Sequence, residues 1–121
     1  MTSLFIDTSI PYKASVRITA HGTNFLKESE SKESRAQMIL PLIKSLLDEH
    51  EITLIDITDI TVVTGPGSFT GLRVGATISI ILSKLLSVPL NGNKFGTLPT
   101  INYGKDLWKL STFENNASKG N

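Results

Sequence analysis

The run Gly65-Pro66-Gly67-Ser68-Phe69-Thr70-Gly71-Leu72-Arg73-Val74-Gly75 joins an apolar, β-branched stretch at 60–63 to a long apolar stretch at 74–86. A strand that passes through so many glycines into a helix must turn tightly. Gly65 and Gly67 can take positive φ or leave room for a neighbouring backbone, Pro66 sets one dihedral, and Ser68 or Thr70 can cap the helix. The common glycine loops do not fit. A P-loop needs lysine followed by serine or threonine after its last glycine, whereas Leu72 and Arg73 follow Gly71. The dinucleotide fingerprint needs glycine where Thr70 stands, and a nucleophile elbow would not place Ser68 directly after Gly67. Two uses of the turn stay open: backbone geometry alone, or the gripping of an anion at a helix N-terminus.

The whole phrase resembles the signature of the TsaB (YeaZ) family, the non-catalytic partner subunits in bacterial synthesis of threonylcarbamoyladenosine on tRNA. Leu4-Phe5-Ile6-Asp7-Thr8-Ser9 is similar to that family's opening strand and its Asp-Thr-Ser turn. Gln37-Met38-Ile39-Leu40-Pro41-Leu42-Ile43 is similar to its first helix, mid-helix proline included. The three segments stand in the family's order and spacing, so the resemblance covers about residues 3–100. There are departures. Family members run to about twice this length, with a second lobe after the region that matches Thr97-Leu98, and their His-Ser before the first helix is Glu33-Ser34 here. Nothing in residues 97–121 resembles that lobe. The expectation is a short, one-lobe version, with 1–105 as a single lobe and 106–121 as a partly disordered tail.

Composition agrees with one domain. The chain has 121 residues, is 40% hydrophobic, and carries a net charge of +1, enough for one core layer on one sheet. Scattered lysines and arginines give no basic stripe of the kind that binds nucleic acid directly. Cysteine is absent, which excludes disulfides, thiolate chemistry and cysteine-based metal sites. No secretory leader is visible, and the apolar stretch at 74–90 is interrupted by Lys84 and serines, so a cytoplasmic, non-membrane protein is expected.

Pattern predicts strands at 3–7, 15–20 and 24–28, with His21-Gly22-Thr23 as a hairpin turn and 27–35 as a solvated loop. A helix follows at 34–50. Its apolar residues cover an arc of roughly 200°, twice the ~100° that one sheet-facing stripe needs, and Pro41 should kink it. Residues 54–57 read as linker and 60–64 as a strand. The second helix, 68–86, is apolar nearly all round. Val74, Ile78, Ile81, Leu82 and Leu85 are predicted to face the sheet, with Gly75, Ser79 and Ser83 as a small-residue stripe beside them. Residues 88–90 could add a final parallel strand.

The order βββαβαβ is an α/β arrangement, and the resemblance implies one lobe of the actin, heat-shock chaperone and sugar-kinase (ASKHA) fold, both helices on one side of a mixed sheet. It further implies pairing with a TsaD-like catalytic subunit through the helix pair, possible company of a TsaE-like ATPase, and only indirect contact with tRNA. The predicted partner-binding residues are Met38, Leu42, Ser45, Leu46, Leu72, Gly75, Ala76, Ser79, Ile80 and Ser83. Two alternatives stand beside this: the helices cover each other, or two copies pair through the same faces. His21 and His50 are isolated in the sequence, and Asp7 reads as a turn residue. No catalytic residue, metal or cofactor is expected. The competing function is a nucleotide- or anion-binding half-site of an ASKHA-type enzyme.

Overall fold

Alternation builds the sheet. In β1 (Thr2–Asp7) Leu4 and Ile6 are buried while Ser3, Phe5 and Asp7 are partly exposed, as a strand with one covered face requires. The computed structural model describes residues 1–30 and 36–102. After β1 come β2 (Lys13–Ala20), β3 (Thr23–Glu30), α1 (Ala36–Glu49), a 3-10 turn at Leu54–Asp56, β4 (Asp59–Val62) and α2 (Phe69–Leu86). The sheet order is β3-β2-β1-β4, antiparallel except for the parallel pair β1–β4. Leu4 lies between Ile18 and Ile60, and Ile6 between Val16 and Val62, so these six side chains share one buried face.

The β2–β3 turn is His21-Gly22, with φ of 52° and 77°, the doubly positive backbone of a tight hairpin. β3 runs two residues beyond the predicted 24–28. Residues 27–30, predicted to open a solvated loop, are strand because they pair with Lys13 to Val16 across the ladder. Of that expected loop, 31–35 lie outside the described residues, as does the tail predicted for 106–121.

Both helices cover the buried face. Ile39, Leu42, Ile43, Leu46 and Leu47 of α1 form one core with the strands and with Leu82 of α2, each such side chain contributing on the order of 1.5–3 kcal/mol. α1 runs through Pro41, and this packing offsets the cost of the missing donor, about 3 kcal/mol. The opposite sheet face mixes polar residues with Phe5 and the exposed Leu26, and the Arg17 guanidinium lies 4.3 Å above the Phe5 ring.

The final predicted strand is reduced to an isolated parallel bridge between Ile60 and Leu90. Pro89 brings no N–H, though its carbonyl accepts from Ile60 N. The Asn91 side-chain amide then replaces a strand at the next position, accepting from Val62 N at 2.8 Å and donating to Val62 O at 3.1 Å.

By length and composition α2 could cross a membrane, contrary to the expectation that Lys84 and the serines forbid it. Leu72, Gly75, Ser79, Leu82 and Ser83 seat it on its own sheet instead, as a core helix.

Candidate functional site

The adjacent ends of the parallel strands β1 and β4 carry the two turns, and the turns are locked together. Asp7 Oδ1 accepts from Ser9 N at 2.9 Å and from Ser9 Oγ at 2.6 Å, a side-chain turn that commits this carboxylate to structure. The buried Thr8 hydroxyl donates to Gly71 O at 2.5 Å, and Ser68 N donates to Ser9 O at 2.7 Å. A Cβ on Gly67 would stand 2.6 Å from the Ser9 carbonyl oxygen. Gly65, at φ 120°, faces the carbonyl of Asn102, whose N–H reaches Thr64 O at 2.7 Å. These two glycines therefore serve close backbone approach. The Gly65–Pro66 peptide is cis. Ser68 caps α2 by accepting from Gly71 N at 3.2 Å, and Phe69, Thr70, Gly71 and Arg73 form the first turns of the helix, with Arg73 over the Phe69 ring.

The helix faces correct the sequence reading. The small stripe Gly75, Ser79, Ser83 turns inward: a Cβ on Gly75 would collide with the Thr8 hydroxyl and crowd Val62, and Ser83 Oγ donates to Val88 O. Small residues let α2 sit close on β1 and β4, where larger ones would hold it off. The bulky residues point the other way. Ile81 is 57% and Leu85 69% exposed, with Val74 and Ile78 partly exposed beside them. None of the ten predicted partner-binding residues is exposed. Leu42, Leu46, Leu72, Gly75, Ala76, Ser79 and Ser83 are buried within the chain, and Met38, Ser45 and Ile80 are half-buried. Ser45 is moreover held by Lys27 Nζ at 2.7 Å.

The outward apolar set on α2 is instead Val74, Ile78, Ile81 and Leu85; on α1, Leu40 is exposed and lines a groove with Ile43, Leu47, Ile52, Leu54 and Leu82. A second hollow along α2 is lined by Phe69, Arg73, Val74 and Ile78. The four-residue spacing of small residues was the available signal for this orientation.

His21 and His50, isolated in the sequence, line one cavity with Phe25, Glu51 and Asp56; the His50 ring stacks on Phe25 at 3.6 Å. Among the described residues no group of three or more histidines, cysteines or carboxylates could hold a metal. Three carboxylates are perturbed by local hydrogen bonds. Hydrogen bonds from Lys27 and Ser45 hold Glu49 below the usual range, Ser15 and Lys13 do so for Glu28, and the Thr53 N–H for Asp56. Glu28 in turn raises Lys13.

Residues 28–92 match a protein-family model described as TsaD, tRNA N6-adenosine threonylcarbamoyltransferase. The chain is 36% identical over 89 residues to the tRNA threonylcarbamoyladenosine biosynthesis protein TsaB of Buchnera aphidicola, covering 74% of this chain and 42% of that one. It is 32% identical over 96 residues to TsaB of Bacillus subtilis, covering 75% and 40%. Among solved structures, YeaZ from Pseudomonas aeruginosa superposes with a TM-score of 0.70 at 31% identity, over 74% of this chain and 41% of that one. The chain thus spans about two-fifths of the length of these relatives.

Proposed function

The chain belongs to the TsaB (YeaZ) family, and from that premise we propose that it acts as a non-catalytic subunit in the installation of threonylcarbamoyl on tRNA, docking a TsaD-like catalytic subunit. The docking element is the outer face of the helix pair, and the lobe is of the ASKHA type. The observation that carries this reading is the outward row Val74, Ile78, Ile81, Leu85 on a helix already seated on its sheet by small residues. Bulky apolar side chains aligned over three turns are apolar surface of the kind that marks a protein partner. The rival reading, an anion-binding half-site at the glycine turn, is weakened by the packing of Gly65 and Gly67 against the chain's own carbonyls.

The test is the double variant Ile81→Glu with Leu85→Glu, mixed with the TsaD-like subunit of the same organism and followed by size exclusion with mass measurement. Burying one such side chain contributes on the order of 1.5–3 kcal/mol, so affinity should fall at least about a hundredfold while the circular dichroism of the lobe is retained. Undiminished pairing would place the interface elsewhere.

A further inference from the structure

From Ile60 to Lys105 the sequence holds no aspartate or glutamate, yet Arg73, Lys84 and Lys94 lie within that stretch. At 100° per residue Arg73 and Lys84 fall within about 20° of each other on α2, about 16 Å apart along the axis. They border the row Val74, Ile78, Ile81, Leu85 on the side away from α1, because Leu82, on the other border, lines the groove shared with α1. Both cations are exposed. The ion pairs among the described residues involve Lys13, Lys27 and Lys44, so neither Arg73 nor Lys84 has a carboxylate partner there.

The described helices offer these cations nothing in a second copy. α2 has no carboxylate at all, and those of α1, Asp48 and Glu49, sit together in its last turn, tied to Lys44 and Lys27. Packing α2 on its own copy would set like charges together, a cost that specific interfaces avoid.

We infer that the outer face of α2 fits a helix of another protein, one whose apolar stripe is flanked by carboxylates about three turns apart, in preference to a second copy of this chain. The inference rests on the docking reading above and adds the charge character of the partner. A helix so built would meet Arg73 at one end and Lys84 at the other, which fixes its register along α2 and makes association dependent on salt.

Two amphipathic helical peptides test it, with identical apolar stripes and either two glutamates or two lysines at eleven-residue spacing. Binding of each to the whole chain is read by fluorescence anisotropy at low and high sodium chloride. The glutamate peptide should bind at least about tenfold more tightly at low salt and lose that advantage at high salt. The variant Arg73→Glu with Lys84→Glu should invert the preference. Equal affinities, or a preference unchanged in the variant, would overturn the inference. So would a self-association, seen by sedimentation, that the glutamate peptide does not dissolve. The two readings separate in the TsaD-like subunit: pairing lost with Ile81→Glu and Leu85→Glu but untouched by the charge reversal leaves docking standing and sinks the acidic partner.

Discussion

The two helices lie on the same face of one sheet and are built in opposite ways. α1 sends its large side chains inward, Ile39, Leu42, Ile43, Leu46 and Leu47, and turns Lys44, Asp48 and Glu49 to water. That is the pattern of a helix whose stability comes from its own core. α2 sends mostly small residues inward, Gly75, Ala76, Ser79 and Ser83 beside Leu72 and Leu82, and turns Ile81 and Leu85 to water. Leu40 apart, the first helix spends its apolar surface on folding. The second withholds much of its own, and the withheld part is where a partner can gain free energy. Function in this fold is therefore read from the helix whose outside is more apolar than folding requires.

The largest effect that would break this contrast comes from trimming one isoleucine on each helix. Ile43 of α1 is 3% exposed, against 57% for Ile81 of α2. Ile43→Ala should cost about 2–5 kcal/mol of stability by removing packed atoms and leaving a cavity. Ile81→Ala should cost no more than about 0.5 kcal/mol in the isolated chain. Urea unfolding of both variants measures this. Comparable losses would mean that Ile81 is already engaged within the chain, and the surplus on α2 would vanish.

A smaller effect sharpens the account of the inner face. Ser79 Oγ is fully buried with no hydrogen-bond partner among the described residues, so its small size is used and its hydroxyl is not. Ser79→Ala keeps the close approach, removes an unpaired polar atom and raises helix propensity. It should stabilise the chain by up to about 1 kcal/mol, visible as a higher Tm. A lower Tm would show that the hydroxyl has a role on the sheet. Ser79→Arg, an attractive probe if the small stripe faced outward, would instead force a charge into the core and unfold the lobe.

Much of this was legible in the sequence, and the failures have physical causes. The apolar run in β1, the alternation in β2, the His21-Gly22 hairpin and the Ser68 cap each come from local chemistry, which one segment carries by itself. The tight turn at Gly65 and Gly67 was legible as well, although its neighbours, Asn102 and Ser9, were not. The two faces of α2 were misread because a helix apolar nearly all round offers little contrast at a period of 3.6. What decides its orientation is non-local: Thr8 and Val62 leave space for a glycine and for nothing larger. The extension of β3 through Lys27 to Glu30 is polar because it belongs to an edge strand, and its evidence lies in β2, where Ser15 bonds Glu28 at 2.8 Å. The strand expected at 88–90 yields to Pro89 and to the side chain of Asn91, whose amide does the work of a backbone peptide.

The smallest expected effect tests the other half of the contrast, the polar outside of α1. Glu49 in its last turn is bonded by Lys27 of β3 and by Ser45, which tie the helix end to the edge strand, whereas no ion pair among the described residues holds the outer rim of α2. Those bonds lower the pKa of Glu49 from its ordinary 4.5. A carboxylate lowered in the folded state contributes stability that is present above its unfolded value and lost as pH falls through the folded one. The parent should therefore lose a small part of its stability on acidification below about pH 4.5, and Glu49→Gln should lack that part of the decline. Because the pair is exposed, salt should shrink the difference. Melting temperatures of parent and variant across this range, at low and high salt, measure it. Parallel curves would mean that Lys27 and Glu49 hold nothing in solution and that the end of α1 is fixed on the sheet by packing alone.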